Sequence, residues 1–389
     1  MKLLHVHDFF APGNSRFGFD MDRLLAARGH SVHVLAAVGE RGPADGATVE
    51  AVAFHTYPFR PELSLWNRYR FSLKVNEERF EELHAQHRFD ALILNQPLCA
   101  SGVLRSGLAP DLPKIYWFIS PWAAEWREEH PEAGFLKRLV NAGPRNRMEG
   151  NALDACDRIL VESEFIRRRL HEHHPGVAAD KVTLIAGAVD LARFRPEGTR
   201  EAARARFGIG DGPVVLTVRR LVERMGIDLL LRAAAELPVL EVVVGGDGPR
   251  RGGLESLAKS LGVRARFLGF VPDENLPALY RAADLFVLPT RALEGFGLVA
   301  VEAMACGTPA LGTPVGAIPE VLGPLGLVVG DVSAPAIAAG LKKFFAAPDP
   351  DLGRRCREHV AALYDWARRV EQLEEVLLTV IRESPRHRR

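Results

Sequence analysis

Only four cysteines occur in the 389-residue chain, Cys99, Cys156, Cys306 and Cys356, and none has a partner at paired spacing. That scarcity excludes a disulfide framework and reads as reduced, packed thiols in a cytosolic protein. Long hydrophobic runs are missing too: none approaches the ~18 residues that mark a membrane span. The opening stretch "MKLLHVHDFF" interrupts its apolar residues with histidines and an aspartate, so it does not read as a signal peptide. Charge of one sign is lacking, with 50 Lys+Arg against 49 Asp+Glu and a net charge of +1. There is no overall field to argue for a nucleic-acid partner. A Gly-x-Ser-x-Gly elbow and a full dinucleotide fingerprint are also absent, which disfavours hydrolases and dehydrogenases.

What remains is ordinary globular composition, 47% hydrophobic and 25% charged, at a length that suggests two domains. In the first half, "LLHVH" (3–7), "SVHVLAA" (31–37), "ALILN" (91–95), "KIYWFI" (114–119) and "RILVE" (158–162) read as buried strands. Helical patterns such as 73–87 separate them. Near residue 190 a Gly-, Pro- and charge-rich stretch reads as a connection with a short helix, and then the alternation restarts. The second set of strands is "PVVLTV" (213–218), "LEVVVGG" (240–246), "RARFLGF" (264–270), "DLFVLPT" (284–290), "TPALG" (308–312) and "GLVVG" (326–330). Alternation of this kind predicts an α/β chain of two doubly wound, Rossmann-like domains facing a central cleft, with a helical tail over 349–383. Ligands of such sheets bind outside the carboxyl ends of the strands, so the loops there carry the functional question.

The stretch "EGFGLVAVEAMACGTP" (294–309) follows one of these strands and opens a helix near Gly297 or Leu298. A helix start offers unpaired N–H groups suited to phosphate. Two carboxylates, Glu294 and Glu302, suit sugar hydroxyls better than phosphate, because like charges repel. The pattern therefore reads as a nucleotide-sugar site, against the plainer alternative of turn glycines and an exposed helical glutamate. "RRLVERMG" places Arg219, Arg220 and Arg224 at another strand end, where cations suit a diphosphate. "GGDGPR" is a weaker Gly-rich loop signal. In the first half, "HDFFAPGNSRFGF" (7–19) reads as a long loop after the first strand. Two metal-like patterns, "DMD" (20–22) and "HEHH" (171–174), fall in helical contexts and are expected to bind no metal.

With these residues in view, the chain resembles the family-four class of retaining, nucleotide-sugar-dependent glycosyltransferases (group 1) with the two-Rossmann architecture called GT-B. The resemblance is strongest over 267–322 and extends to "GGDGP" (245–249), "IAGAVDLARFRP" (185–196) and "YDWARRVEQLEEVL" (364–377). It implies an acceptor-side domain over 1–187, a donor-binding domain over 188–364, and a helix over 365–389 returning to the first domain. It also implies that Glu294 binds donor-sugar hydroxyls and Glu302 the ribose. Amides of Phe296, Gly297, Leu298 and Val299 would meet the diphosphate and sugar, and Gly13, Gly246 and Asp247 would line the donor site. Arg220 would take the diphosphate, with Arg224 beside it, because the family's lysine is replaced by Met225. Arg220, Arg224 and Glu294 are thus the expected catalytic groups. Asn14, Arg16, Asn95, Ser120, Trp122 and Glu125 are the acceptor-side candidates, near Ile119, which stands where the family commonly has histidine.

The activity so implied is metal-independent, retaining hexosyl transfer from a nucleotide-diphosphate sugar to a saccharide, polyol or lipid-linked hydroxyl. It requires no cofactor and no nucleic acid. The alternatives are a catalytically impaired nucleotide-sugar-binding subunit and, less favoured, a nucleotide-sugar epimerase. The location expected is cytoplasmic, with weak peripheral membrane contact through the basic stretch "FLKRLVNAGPRNR" (135–147) as a further option.

Overall fold

The computed structural model describes residues 1–10, 16–40, 42–130 and 132–384. They form two compact units, one of Met1–Ala186 joined by the chain from Ala367, the other of Gly187–Trp366.

The first unit holds strands β1 (Lys2–Phe10), β2 (Ser31–Val38), β3 (Thr48–Val49), β4 (Val52–Pro58), β5 (Ala91–Asn95), β6 (Lys114–Phe118), β7 (Arg158–Val161) and β8 (Val182–Leu184). Between them run helices α1 (Arg16–Ala27), α2 (Leu65–His87), α3 (Pro97–Arg105), α4 (Trp122–Glu129), α5 (Phe135–Ala155) and α6 (Glu164–His173). The strands lie in the order β3-β4-β2-β1-β5-β6-β7-β8, parallel except for the β3–β4 pair. Strands such as β5 are buried along their whole length, as parallel sheets covered on two faces require. The core packs Phe80, Leu83 and Phe89 of the α2 region against Leu92, Leu94, Tyr116 and Phe118.

The second unit contains α7 (Arg200–Phe207), β9 (Val214–Val218), α8 (Ile227–Ala234), β10 (Glu241–Gly245), α9 (Arg251–Ser260), β11 (Arg264–Gly269), α10 (Leu276–Ala282) and β12 (Leu285–Leu288). It continues through α11 (Leu298–Ala305), β13 (Ala310–Gly312), α12 (Ile318–Leu322), β14 (Leu327–Val328), α13 (Ala334–Ala346) and α14 (Leu352–Leu363). Its sheet runs β11-β10-β9-β12-β13-β14, parallel throughout. The last helix, α15 (Trp366–Glu383), lies in the first unit from Ala367 on. It buries Val370, Leu373, Leu377 and Val380 and pairs Glu374 with Arg28 at 2.7 Å and Glu383 with Arg158 at 3.1 Å.

In each sheet the winding reverses beside the first strand, between β1 and β5 and between β9 and β12. Right-handed crossovers then send the flanking helices to opposite faces, opening a crevice at the carboxyl ends of those two strands. This topology positions both sets of functional groups described below.

Three details differ from the sequence expectation. β3, β4 and β8 were not anticipated, because "VAFHTYP" carries proline and histidine and β8 is three residues long. β1 runs on to Phe10 and α1 opens at Arg16, so the two ends of the loop expected over 7–19 are strand and helix, and the rest of it lies outside the described residues. The helical tail is broken at Tyr364 and Asp365, where Asp365 bridges to Val189 instead of continuing α14. Among the described residues no helix is long and apolar enough to cross a membrane.

Candidate active site

In the second unit, the loops after β9 and β12 meet at the reversal point. Arg219, the first residue past β9, is buried, and its guanidinium donates to the hydroxyl of Thr290 and the carboxylate of Glu294. Thr290 in turn donates to Glu294 Oε2 at 2.9 Å. The pair is nearly closed to solvent, with the Arg219 side chain 4% and the Glu294 side chain 14% exposed. Backbone contacts tie further loops to this center. The Glu294 carbonyl accepts the Ala317 N–H at 2.9 Å, and the Arg224 guanidinium donates to the Leu293 carbonyl at 3.1 Å. Leu293 holds φ at +53°, a left-handed backbone uncommon for leucine and typical of functional loops. Gly316 is required beside it, since at its φ of +62° a Cβ would stand 2.2 Å from the Glu294 carbonyl oxygen.

The helix that follows starts sharply. Gly297, at φ +89°, is the N-cap of α11 and offers no side chain to bond the first turn. Among the described residues, the N–H groups of Phe296, Gly297, Leu298 and Val299 find no acceptor. Four consecutive unpaired donors at a helix start, where the macrodipole adds about half a positive charge, form an anion-binding surface. The Phe296 ring turns away from it, packing edge-on to Tyr364 with centroids 5.3 Å apart. The Glu294 side chain instead lies against Gly297, where a Cβ would come within 3.7 Å of its Cγ. Acceptor carboxylate and donor amides are therefore neighbours.

Glu302 is placed differently from expectation. It is 1% exposed, and the Tyr280 hydroxyl from α10 donates to its Oε2 at 2.6 Å. The arginines also sort unexpectedly. Arg219 is the one that meets Glu294, while Arg220 is exposed and its guanidinium has no partner among the described residues. Met225 is buried in the core with Ile227 and Leu230, so its replacement of a lysine is a packing feature here. Asp247 is exposed, and its carbonyl accepts the Leu221 N–H at 2.9 Å. The Gly246 amide is used within the loop, donating to the Gly269 carbonyl at 2.7 Å.

In the first unit the corresponding reversal point lies between β1 and β5. A cavity of about 120 Å³ there is lined by Asn95, Ser120, Trp122 and Glu125, together with Asp8 and Glu149. A second, of about 320 Å³, shares Asn95, Gln96, Trp117 and Ile119 with it and adds His5, His7 and Glu162. The structure thus brings together four of the six acceptor-side candidates. Gly13 and Asn14 lie outside the described residues, as does the side chain of Arg16, which opens α1.

Sequence reasoning missed Asp8, Glu149 and Glu162, whereas Gln96 stands beside Asn95 as a polar candidate and does line the cavities. Asp8 accepts the Cys99 N–H near the start of α3 at 2.5 Å, and burial pushes its carboxyl up to about 6. Gln96 accepts the Asp8 N–H at 3.2 Å and sits at φ +88°, a second strained position at a loop end. Glu149 accepts from the Trp122 N–H and pairs with His174 Nε2 at 2.9 Å, and its carboxyl is raised by burial. That pairing assigns the last histidine of "HEHH" to a buried hydrogen bond. Asp22 of "DMD" meets His5 Nδ1 at 2.9 Å. His7 is held well below the usual imidazole range by burial. The one available signal for these groups was position, since Asp8 lies near the carboxyl end of β1 and Gln96 directly follows β5.

Two consequences can be measured. Replacing Arg219 by alanine leaves the Glu294 carboxylate buried without its cation. Urea melts should show a loss of about 3–5 kcal/mol, and a loss below about 1 kcal/mol, the value of an exposed pair, would refute the buried pair. Glu162 accepts the Trp117 indole N–H at 3.2 Å, and burial pushes its carboxyl from 4.5 up to about 7. Because the folded value is the higher one, the folded state holds the proton through that window, and stability is lost as pH rises from 4.5 through 7. Glu162→Gln should therefore melt above the parent protein at pH beyond 7, with the gap closing toward pH 4.5. A gap that does not change with pH would contradict this.

Residues 13–193 match the family described as Glycosyltransferase Family 4, and residues 199–361 match Glycosyl transferases group 1. A D-inositol 3-phosphate glycosyltransferase of Mycolicibacterium gilvum is 37% identical over 58% of this chain and 52% of its own length. The Mycobacterium leprae protein of the same name is 42% identical over 44% of this chain and 41% of its own. The chain thus spans about half the length of the curated relatives it matches. Among solved structures, a sucrose-phosphate synthase from Thermosynechococcus elongatus superposes with a TM-score of 0.85 at 24% identity, over 99% of this chain and 100% of that one. Anabaena HepE, crystallised with UDP and glucose, gives 0.77 at 18% identity, over 97% and 100%. These likenesses show the fold. Taken with the two family matches, which cover nearly the whole sequence between them, they place the chain in the group 1, GT-B family of glycosyltransferases.

Proposed function

We propose that the protein transfers a sugar from a nucleotide-diphosphate sugar to an acceptor hydroxyl. The observation that carries this reading is the run of four unpaired amides at the start of α11, set beside the Glu294 carboxylate. Anion donors and a hydroxyl acceptor at adjacent positions suit a ligand that is phosphate at one end and sugar at the other. The HepE structure, with UDP and glucose, is of such a ligand class. In this assignment the amides of Phe296–Val299 hold the diphosphate and Glu294 accepts from sugar hydroxyls. Glu302, with its carboxylate oriented by Tyr280, accepts from the ribose. Gly246 and Asp247 shape the loop behind β10. Arg220, exposed at the end of β9, meets the charge developing on the leaving diphosphate, and Arg224 steadies the loop through Leu293.

The acceptor is assigned to the first unit, to the groups lining the β1–β5 cavities. Their carboxylates and amides, Asp8, Asn95, Gln96, Glu125 and Glu149, suit a polyhydroxylated molecule. An inositol phosphate, which gives the curated relatives their name, is one such acceptor. In the transfer step the bond from the anomeric carbon to the diphosphate oxygen breaks and a bond to the acceptor oxygen forms on the same face. The acceptor proton passes to the departing phosphate. Retention and independence from metal follow from this scheme, which needs no protein nucleophile and meets the leaving charge with arginine and amides.

A panel of nucleotide sugars with polyol and inositol-phosphate acceptors tests the assignment. Glu294→Ala should lower kcat/KM by roughly ten- to a hundredfold, the equivalent of losing about 1.5–3 kcal/mol of charge-assisted hydrogen bonding. Glu294→Gln, which keeps an acceptor oxygen for Arg219, should retain more. Unchanged turnover in Glu294→Ala would sink the site. Nucleotide-sugar binding without transfer or hydrolysis would instead support a binding subunit, in which Ile119 and Met225 mark lost chemistry. An epimerised donor formed without acceptor would support the epimerase.

A cytoplasmic protein that touches the membrane surface is the accompanying proposal. It is supported by the start of α5, where Phe135, Leu136, Leu139 and Val140 are exposed around Lys137 and Arg138. Flotation with anionic vesicles should recover the protein, and Leu136→Glu with Leu139→Glu should release it. Equal recovery of parent and double variant would dismiss the contact.

A further inference from the structure

Histidines 33, 55 and 87 are unremarkable in the sequence, one near a strand start, one in a stretch with no strand signal and one on a helix. In the first unit they converge. β2 and β4 are adjacent and parallel, with Leu35 opposite His55, and His33 lies two residues before Leu35 on the same face. The final turn of α2 brings His87 over that face. His33 Nδ1 is 2.9 Å from His55 Nε2. The His33 and His87 ring centroids are 4.2 Å apart, and those of His55 and His87 5.8 Å. One ring nitrogen from each lies within 4.8 Å of the other two.

We propose that His33, His55 and His87 form a binding site for a late first-row divalent cation, with zinc the best match. Three imidazoles are a common zinc donor set, and a solvent molecule completes the tetrahedron. Zinc–nitrogen bonds of ~2.0–2.1 Å put tetrahedral ligand atoms about 3.3 Å apart. The short His33–His55 separation must therefore widen slightly and the longest one close. His55 and His87 are half-buried, so their side chains can turn, while His33 is buried and anchored. Ser31 Oγ lies 3.1 Å from His33 Nε2, which directs Nδ1 to the cluster and supplies the outer contact that metal-binding histidines normally make.

The electrostatic setting agrees. Burial, with the neighbouring imidazoles, lowers His33 to about 4 and lowers His55, so these rings present the neutral form that ligates metal. The charged groups facing the cluster are Lys2, Arg79 and Asp45, and Arg79 is already paired with Asp45 at 2.7 Å. Binding would exchange the proton shared by His33 and His55 for the cation and release it to solvent. The metal would tie the end of α2 to β2 and β4. His33 pairs with Leu4 on β1, four residues before Asp8, or about 13 Å along the strand. The site is therefore separate from the cavities assigned to the acceptor.

The test is calorimetric titration of the full, chelator-stripped chain with zinc chloride, on the parent, His55→Gln and His87→Gln. The parent should bind one equivalent at low-micromolar affinity or tighter, and zinc should raise its thermal midpoint. Each variant should keep the parent's circular dichroism, bind at least about tenfold more weakly and lose the thermal shift. Absence of zinc binding in the parent would overturn the proposal. So would equal affinity and stoichiometry in both variants, which would move the binding to other histidines such as those at 171–174.

Discussion

The loops at the reversal point of the second unit depend on one buried ion pair, Arg219 with Glu294. Taking two charges out of water is costly, and the cost is met only where geometry and further hydrogen bonds are good. Thr290 supplies the third member, bonding to each of them. Once that triad is set, its surroundings have little freedom. The Glu294 carbonyl holds the 313–317 turn through Ala317, Arg224 holds Leu293, and the Arg224 carbonyl receives the Arg291 N–H at 2.8 Å. Arg291 reaches in turn to Asp228 near the start of α8. Loops from three strand ends are thereby locked around the start of α11.

This arrangement presents Glu294 as a fixed acceptor. An acidic side chain bonded on one side by arginine and threonine is held in orientation, and its position against Gly297 sets it next to the unpaired amides. Preorganised groups of this kind need not reorganise when a ligand arrives, which is the condition for strong electrostatic recognition. The strained φ of Leu293 belongs to the same construction, since the chain must turn sharply to place a carboxylate and a helix start within four residues.

The first unit solves the parallel problem with a different chemistry. Its reversal point is lined by carboxyl groups that burial pushes upward, Asp8 to about 6 and Glu162 to about 7, and by buried histidines pushed downward. Groups of this kind can exchange hydrogen bonds with the hydroxyls of a polyhydroxylated ligand. Ile119 contributes an apolar patch to the two cavities where a histidine would have been polar. Arg145 stacked over Trp122, 4.9 Å from the ring centre, stiffens one wall.

Local pattern was enough for the α/β class, most strand positions, the opening of α11 and the placing of Glu294 in the loop before it, because each rests on residues adjacent in the chain. Buried β-branched runs, a Gly-Phe-Gly turn and an apolar helix are short-range signals. Contacts between distant segments decided the rest. Arg219 and Arg220 are indistinguishable by composition, yet the Arg219 N–H bonds to Gly245 on β10, and that contact helps set which guanidinium turns inward. Glu302 is read along its own helix as a cleft-facing residue, but it is buried and the Tyr280 hydroxyl from the preceding helix donates to its carboxylate. Asp8 and Gln96 meet across 88 residues of sequence, and the three histidines come from two strands and a helix. Side-chain direction and burial at such places follow from which elements pack together, and only the folded sheet specifies that.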